Sequence, residues 1–323
     1  MSISTRVPRL PPRPALLLTI LLGALPLIAA PQPMAARAAA LQATAPAGAA
    51  NGTRAPHAEK SLRFAVIGDS GTGEKPQYQV GEQLTESRTV FPFEFVLMLG
   101  DNIYGGERPQ DYSKKFERPY QALLELKIPF YASLGNHDDP NQRFYKPFNM
   151  DGKRFYTFEK GDARFFALDS NYMDQAQQEW VEKELSASKN KWKIAFFHHP
   201  LYSSGEKHGS QVDLRATLEP LFLKYGVSVV FSGHEHFYER LKPQNGITYF
   251  TSGGAAKLRE GNISTTSEMT AKGFDTDRSY MLIEIADKTM YFQTLSRTGE
   301  LVDSGSVEVV KSPPAPPSDA AVR

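Results

Sequence analysis

Five short apolar segments of the sequence are each followed by residues that bind metal ions well. These residues are Asp69, Asp101, Asn136, His137, His198, His199, His234 and His236. Carboxylates, an amide oxygen and imidazoles together form a mixed oxygen and nitrogen set. Such a set suits Zn²⁺, Mn²⁺ or iron in a site with open coordination positions. The sequence therefore predicts a catalytic metal site.

The number of candidate ligands indicates two metal ions. One metal with open positions needs fewer ligands than this set provides, whereas two ions ~4 Å apart share a bridging carboxylate. Each motif is weak by itself, since "GD" follows strands in many folds and a lone His in "GNHD" is more often structural. The five motifs in this order predict a dimetal site that polarises a phosphate and generates hydroxide.

Alternating strands and helices must position these residues. Strands are predicted at 62–68, 93–100, 128–135, 191–197 and 227–233, and helices at 77–88, 112–126, 174–188 and 214–226. This alternation favours βαβ units with largely parallel strands, whose carboxyl ends gather functional groups. Residues 247–253, 279–296 and 301–310 instead predict antiparallel strands, with a hairpin turn at 286–288.

The series GD…GDNxY…GNHD…HxP…GHxH, between Phe64 and Leu258, resembles the calcineurin-like metallophosphoesterases. Within that superfamily it is most similar to the small purple acid phosphatases of the tartrate-resistant type. The resemblance implies an α/β fold, a four-layer α/β/β/α sandwich with the dimetal site at the carboxyl ends of the strands.

The resemblance also implies which residues hold each metal. The first metal would be bound by Asp69, Asp101, Tyr104 and His236, and the second by Asp101, Asn136, His198 and His234. In the family the first metal is Fe³⁺ and the second is Fe²⁺, Zn²⁺ or Mn²⁺, so Tyr104 would be an iron-bound phenolate. The alternative is a tyrosine packed on a turn beside two divalent ions.

Three further histidines are candidates for contact with the substrate. His137 matches the family position that contacts phosphate and protonates the leaving group. His208, in "GEKHGS", resembles a phosphate-facing loop histidine, with a plain surface histidine as the alternative. His199 either faces the substrate or supports a ligand, or it is a hydrogen-bonded loop residue. Asp169 is expected to be structural or to support a ligand, and Asn102 to be a turn residue.

The expected function is a secreted phosphatase that hydrolyses phosphate monoesters by attack of a metal-bound hydroxide. The expected partner is a small phosphorylated substrate. A phosphodiesterase with a divalent metal pair is one alternative, and Tyr104 discriminates between the two. A catalytically inactive binding protein on the same fold is another alternative, although all the expected ligands are present.

Composition excludes several other functions. The 323 residues carry a net charge of +1, which gives no reason to expect a nucleic-acid partner. There is no cysteine, so disulfides, cysteine-ligated zinc and thiol catalysis are excluded. Nothing in the sequence specifies an oligomeric state.

The two ends of the chain differ from the middle. Residues 1–40 combine a basic start, an apolar run and small residues, which predicts a signal peptide and a secreted or periplasmic protein. An uncleaved anchor is the alternative, and no stable membrane partner is expected after cleavage. Residues 41–60 are predicted to be a flexible linker, 61–311 the catalytic domain and 312–323 a disordered tail.

Overall fold

The structure is a computed structural model that describes residues 55–310. The predicted signal peptide and tail, and the linker up to residue 54, lie outside the described residues. The rest of the linker contacts the folded domain, because the backbone N–H groups of His57 and Ala58 donate to the Glu284 carboxylate at 2.9 and 2.8 Å. None of the helices in the described range is long and apolar enough to cross a membrane.

The strands of the described residues are, in chain order, β1 (Leu62–Ile67), β2 (Phe95–Met98), β3 (Phe130–Ala132), β4 (Tyr156–Lys160), β5 (Ala163–Ala167), β6 (Trp192–Phe197), β7 (Val229–Ser232), β8 (Tyr238–Leu241), β9 (Thr248–Ser252), β10 (Thr270–Phe274), β11 (Ser279–Ala286), β12 (Thr289–Ser296) and β13 (Leu301–Glu308). The α-helices are α1 (Lys75–Val90), α2 (Pro109–Tyr112), α3 (Gln121–Glu125), α4 (Gln175–Ala187) and α5 (Val212–Tyr225). Ser113–Glu117 forms a π-helical turn, and Pro140–Phe144 and Lys146–Phe148 form 3₁₀ turns.

The strands form two mixed sheets. The first has the order β13-β12-β11-β1-β2-β3, and the second has the order β10-β8-β9-β7-β6-β5-β4. Parallel pairing joins β1, β2 and β3 in the first sheet, and β5, β6, β7 and β9 in the second. The predicted parallel strands are therefore divided between two sheets.

Aromatic side chains pack the two sheets face to face. Phe64 on β1 contacts Phe165 on β5 and Phe231 on β7, with ring centroids 5.3 and 6.2 Å apart. Phe250 and Phe292 meet in the same way at 5.0 Å. Each large side chain buried in this core contributes about 1.5–3 kcal/mol to stability. The core thus fixes the strands whose ends carry the candidate ligands.

Helices cover the outer face of each sheet, which completes the four layers of the α/β/β/α sandwich. On the first sheet, the Ser87 hydroxyl of α1 is 2.7 Å from the Tyr280 hydroxyl of β11. On the second sheet, α4 and α5 pack Leu185 and Phe222 into a separate buried cluster with Phe197 of β6. The sandwich expected from the sequence is confirmed.

The prediction of one continuous helix at 112–126 is wrong. The chain forms α2, a π turn and α3 in succession, with Pro119 between the last two. Proline has no N–H group to donate and its ring disfavours the preceding helical turn, which explains the interruption. The other three predicted helices correspond to α1, α4 and α5, and Asp174 caps α4 by accepting from the Gln177 N–H at 2.9 Å.

The antiparallel prediction for the last third holds for most strands. β11 and β12 form a hairpin that turns at Asp287 and Lys288, as expected. β9 differs, because it is antiparallel to β8 but parallel to β7. β9 lies inside the second sheet and pairs with two strands. Only β8, which precedes β9 in the chain, forms the expected antiparallel pair with it.

Candidate metal centre

Three of the predicted ligands lie in tight turns with left-handed backbone conformations. Asp69, Asp101 and His234, which follow β1, β2 and β7, have φ angles of 54°, 52° and 69°. Such conformations cost a non-glycine residue about 1–3 kcal/mol and are common at functional sites. The turns also approach closely, since a Cβ on Gly135 would lie 2.2 Å from the Asp101 nitrogen. The His234 N–H after β7 donates to Asp69 Oδ2 after β1 at 2.9 Å, so the ends of strands from both sheets converge.

The first cluster consists of Asp69, Asp101, Tyr104 and His236. The Tyr104 hydroxyl donates to Asp69 Oδ1 at 3.2 Å and lies 3.4 Å from His236 Nε2. His236 Nε2 is 3.4 Å from the same carboxylate oxygen. Asp69, Asp101 and His236 offer donor atoms within 4.8 Å of one another. The four residues predicted for the first metal are thus adjacent.

The second cluster consists of Asp101, Asn136, His198 and His234. His198 Nδ1 donates to the Leu99 carbonyl at 2.9 Å, which leaves its Nε2 without a proton in the neutral ring. That Nε2 faces Asn136 Oδ1 at 2.9 Å, His234 Nδ1 at 3.1 Å and Asp101 Oδ1 at 3.5 Å. A proton on His234 could satisfy only one of these contacts. Converging acceptors of this kind fit a cation.

Burial keeps the imidazoles neutral, as metal ligands must be. It lowers the pKa of His198 well below its usual value and, with the neighbouring histidines, that of His234 to about 2. Burial and then the Arg259 cation lower the pKa of His236 to about 4. Burial, followed by the charge of Asp101, raises the pKa of Asp69 well above its usual range. A metal ion would offset this repulsion between carboxylates.

Burial also raises the pKa of the Tyr104 phenol, with further contributions from the charges of Asp69 and Asp101. Without a cation the phenol therefore stays protonated and donates to Asp69. A trivalent ion beside it would have the opposite effect and favour the phenolate. The donor set of the two clusters fits two metal ions.

Two of the three candidate substrate-contacting histidines are exposed at the site. The backbone N–H of His137 donates to Asp101 Oδ1 at 3.0 Å, and its ring lies 5.0 Å from that of Tyr104. The ring of His208 lies 4.2 Å from that of His234. His137 is therefore beside the first cluster and His208 beside the second.

His199 lies at the same site but is half-buried. Its ring nitrogen can approach those of His198 and His234 within 4.8 Å. His199 Nδ1 is 2.9 Å from the Ser170 hydroxyl, and burial lowers its pKa to about 4. Asp169, in contrast, forms an ion pair with Arg154 at 2.9 Å rather than joining either cluster. The role of Asp169, structural or in support of a ligand, stays a prediction.

Asp138 supports the candidate site and was not predicted from the sequence, although "GNHD" contains it. Its half-buried carboxylate accepts from the backbone N–H groups of Gly135, Asn102 and Ile103 at 2.8, 3.1 and 3.0 Å. Burial and the charge of Asp101 raise its pKa to about 7. Asn102 is more than a turn residue, because its amide also donates to the Ser133 carbonyl at 2.8 Å. These bonds tie the end of β2 to the end of β3.

Glu235, between the two histidines of "GHEH", was also missed. Its fully buried carboxylate accepts from the backbone N–H groups of His208 and Gly209 at 3.1 and 2.8 Å. It also accepts from Arg259 Nη1 at 3.1 Å and from Asn262 Nδ2 at 3.2 Å. Glu235 thus holds two loops beside the metal centre, one next to His234 and the other next to His236.

Lys115 supports Tyr104 from the π turn, and no motif indicated it. Its ammonium donates to the carbonyls of Tyr104 and Gly106 at 2.6 and 3.1 Å. It also pairs with Asp111 at 3.2 Å. Because Lys115 is buried, the turn that presents Tyr104 is anchored to the helical layer.

Comparison with known proteins identifies relatives. The family model described as calcineurin-like phosphoesterase matches residues 62–238, more than half of the chain. Purple acid phosphatase 17 of Arabidopsis thaliana is 26% identical over 63% of this chain and 71% of its own length. Human tartrate-resistant acid phosphatase type 5 is 25% identical over 61% of this chain and 73% of its own.

A solved structure with a similar fold is "GAP50 the anchor in the inner membrane complex of Plasmodium". It is 20% identical, has a TM-score of 0.66, and the match covers 78% of this chain and 90% of the other. At this identity the likeness concerns the fold alone.

Proposed function

The chain belongs to the calcineurin-like phosphoesterase family and is a metal-dependent hydrolase of phosphoric esters, and we propose that it acts on phosphate monoesters as a purple acid phosphatase-like enzyme. One observation carries the proposal. The Tyr104 phenol lies within 3.4 Å of both Asp69 and His236, where a phenolate could share a trivalent ion with them.

The two clusters would hold the two metal ions. The first would bind Fe³⁺, and the second Fe²⁺, Zn²⁺ or Mn²⁺, with Asp101 between them. When bound, the ions supply Lewis acidity that polarises the phosphate and lowers the pKa of water. Glu235, Asp138 and Lys115 would keep the surrounding turns in place.

The exposed histidines would act on the substrate. His137 is free to hydrogen-bond the oxygen of the leaving group and to donate a proton to it. His208 would contact a phosphate oxygen from the opposite side. His199 is neutral above pH 5, because burial lowers its pKa to about 4, so it would act as a hydrogen-bonding group held by Ser170 rather than as an acid.

A second candidate function is binding without catalysis. The observation behind this alternative is the similar fold of a Plasmodium protein whose title calls it the anchor in the inner membrane complex. The complete set of donor residues in this chain supports hydrolysis instead. We further propose secretion, on the basis of the basic and apolar segment in residues 1–40.

The test uses protein prepared with iron and zinc, analysed for metal and by visible absorption. We expect two metal ions, an absorption band in the visible range, and faster hydrolysis of p-nitrophenyl phosphate than of bis(p-nitrophenyl) phosphate between about pH 4 and 8. Tyr104→Phe should abolish the band, whereas Tyr172→Phe, an exposed tyrosine, should keep it.

Three other results would contradict parts of the proposed function. A colourless, active protein loaded with zinc or manganese would refute the iron assignment. Preference for the diester would favour a phosphodiesterase. Absence of hydrolysis from protein that retains two metal ions would favour the binding protein.

A further inference from the structure

A cavity of about 500 Å³ opens beside β4, the edge strand of the second sheet. The 3₁₀ turn at Pro140–Phe144, the segment 152–155 and helix α4 form its walls. The backbone N–H of Gly152 donates to the Arg143 carbonyl at 2.8 Å, which holds the first two walls together. None of the described residues that line the cavity belongs to either metal cluster. Its volume lies within the range of pockets that hold small molecules.

Two aromatic side chains form the apolar part of this cavity. Phe155 and Trp180 pack with ring centroids 5.0 Å apart and an interplanar angle of 55°. Both rings remain half-exposed in the folded chain. A planar aromatic ligand would cover them, and tilted or offset contacts between rings add to the free energy gained from burial.

Two cations at the same cavity have no acidic partner. Neither Arg143 nor Lys153 forms an ion pair within residues 55–310. Arg143 is half-buried, with Nη1 donating to the Pro140 carbonyl at 3.0 Å and its guanidinium 4.5 Å from the centre of the Phe144 ring. A guanidinium held in this way keeps further N–H groups that suit a planar carboxylate.

The other charges that line the cavity are already compensated. Arg154 pairs with Asp169 and Asp174, both at 2.9 Å, so it forms a fixed wall. The Glu184 carboxylate accepts from Arg164 Nη2, which lies outside the cavity. The positive charge of Arg143 and Lys153 is therefore in excess at this position, and it is complementary to an anion.

We propose that this cavity binds a small planar aromatic molecule that carries a negative group, such as an aryl carboxylate. The ring packs on Phe155 and Trp180, and the negative group binds Arg143 and Lys153. The site is separate from the metal centre, so binding requires neither the metal ions nor hydrolysis.

The experiment uses calorimetry on the metal-loaded full chain and compares naphthalene-2-carboxylate with naphthalene-2-carboxamide, which has the same rings without the charge. The carboxylate should bind with a Kd of about 1 mM or lower, and the carboxamide about 10-fold more weakly. Acetate, which has the charge without the rings, should also bind at least about 10-fold more weakly than the naphthalene carboxylate. The Kd of the naphthalene carboxylate should stay within about 2-fold after the metal ions are removed, because no lining residue is a candidate ligand.

Variants test the two parts of the cavity separately. Arg143→Met should weaken carboxylate binding about 10-fold, and Lys153→Met, at an exposed position, about 3-fold, with little effect on the carboxamide. Trp180→Leu should weaken both ligands about 5-fold, whereas Trp180→Phe should retain most of the affinity. Lys272→Met, an exposed lysine on β10 at the opposite edge of the second sheet, is the matched control.

Three results would overturn the proposal. Equal affinity of the wild type for the carboxylate and the carboxamide would show that the cations do not bind the ligand, and this comparison needs no variant to fold. Loss of carboxylate binding when the metal ions are removed would place the ligand at the metal centre instead. A loss in Arg143→Met no larger than that in Lys272→Met would show that the ligand binds elsewhere.

Discussion

Replacing Lys115 with methionine tests whether the π turn positions Tyr104. The ammonium of Lys115 donates to the carbonyls of Tyr104 and Gly106 and pairs with Asp111. Methionine has a similar length and keeps the apolar stem in place, but it donates no hydrogen bond. The substitution therefore removes the polar contacts with little change in packing.

The expected loss can be worked from these three contacts. A hydrogen bond from a charged donor contributes about 1.5–3 kcal/mol when its acceptor is shielded from water. The half-buried Tyr104 carbonyl loses such a bond, whereas water can replace the bond to the exposed Gly106. Asp111 keeps Arg108 Nε at 2.8 Å. We expect Lys115→Met to lower the free energy of unfolding by about 2 kcal/mol.

We also expect Lys115→Met to lower the affinity of the site for metal. Loss of an outer contact that orients a ligand typically lowers metal affinity about 10–100-fold. Urea unfolding of the metal-free protein measures the stability, and competition with a chelator measures the affinity of the more tightly bound ion. Lys114→Met, its exposed neighbour in the same turn, should stay within about 0.5 kcal/mol of the wild type. If the two variants behave alike in both measurements, Lys115 does not position Tyr104.

Four further outcomes are expected. Glu235→Gln should lower kcat/KM about 10-fold, measured by steady-state kinetics, because an amide cannot accept from all four N–H donors around this carboxylate. Gly135→Ala should lower the free energy of unfolding by about 2–3 kcal/mol in urea, since its Cβ would overlap Asp101. The His199 ring of the metal-free protein should titrate near pH 4 by ¹⁵N NMR and be neutral at pH 6; a midpoint near 6.5 would contradict the burial argument. Removing both metals should lower the melting temperature, by an amount equivalent to about 4 kcal/mol for each ion that had been present at 1,000 times its Kd.

The local part of the site could be predicted from the sequence. An apolar segment that stops at a glycine and a polar residue marks both a strand and its end, as at Gly68-Asp69 and Gly100-Asp101. The structure accordingly brings the residues of both predicted clusters together. Their roles as metal ligands remain a proposal that metal analysis tests.

The supporting residues could not be predicted in the same way. Lys115 reaches Tyr104 only because the π turn places its ammonium under the turn that follows β2. Arg259 belongs to a segment without a periodic pattern, and its bonds to the His236 carbonyl and the Glu235 carboxylate give it a position. The division of the parallel strands between two sheets likewise depends on packing between residues far apart in sequence.

The strained turns and the buried carboxylates have one energetic explanation. Left-handed conformations at Asp69, Asp101 and His234 each oppose folding, and the raised pKa of Asp69 shows that its charge is unfavourable in the metal-free fold. The aromatic core between the sheets must offset these terms for the site to exist before a metal arrives. A metal ion then binds the folded chain more tightly than the unfolded one, because only the fold gathers its ligands, and so it recovers part of the cost. The packing of the two sheets thus stabilises the ligands in the geometry that a cation requires.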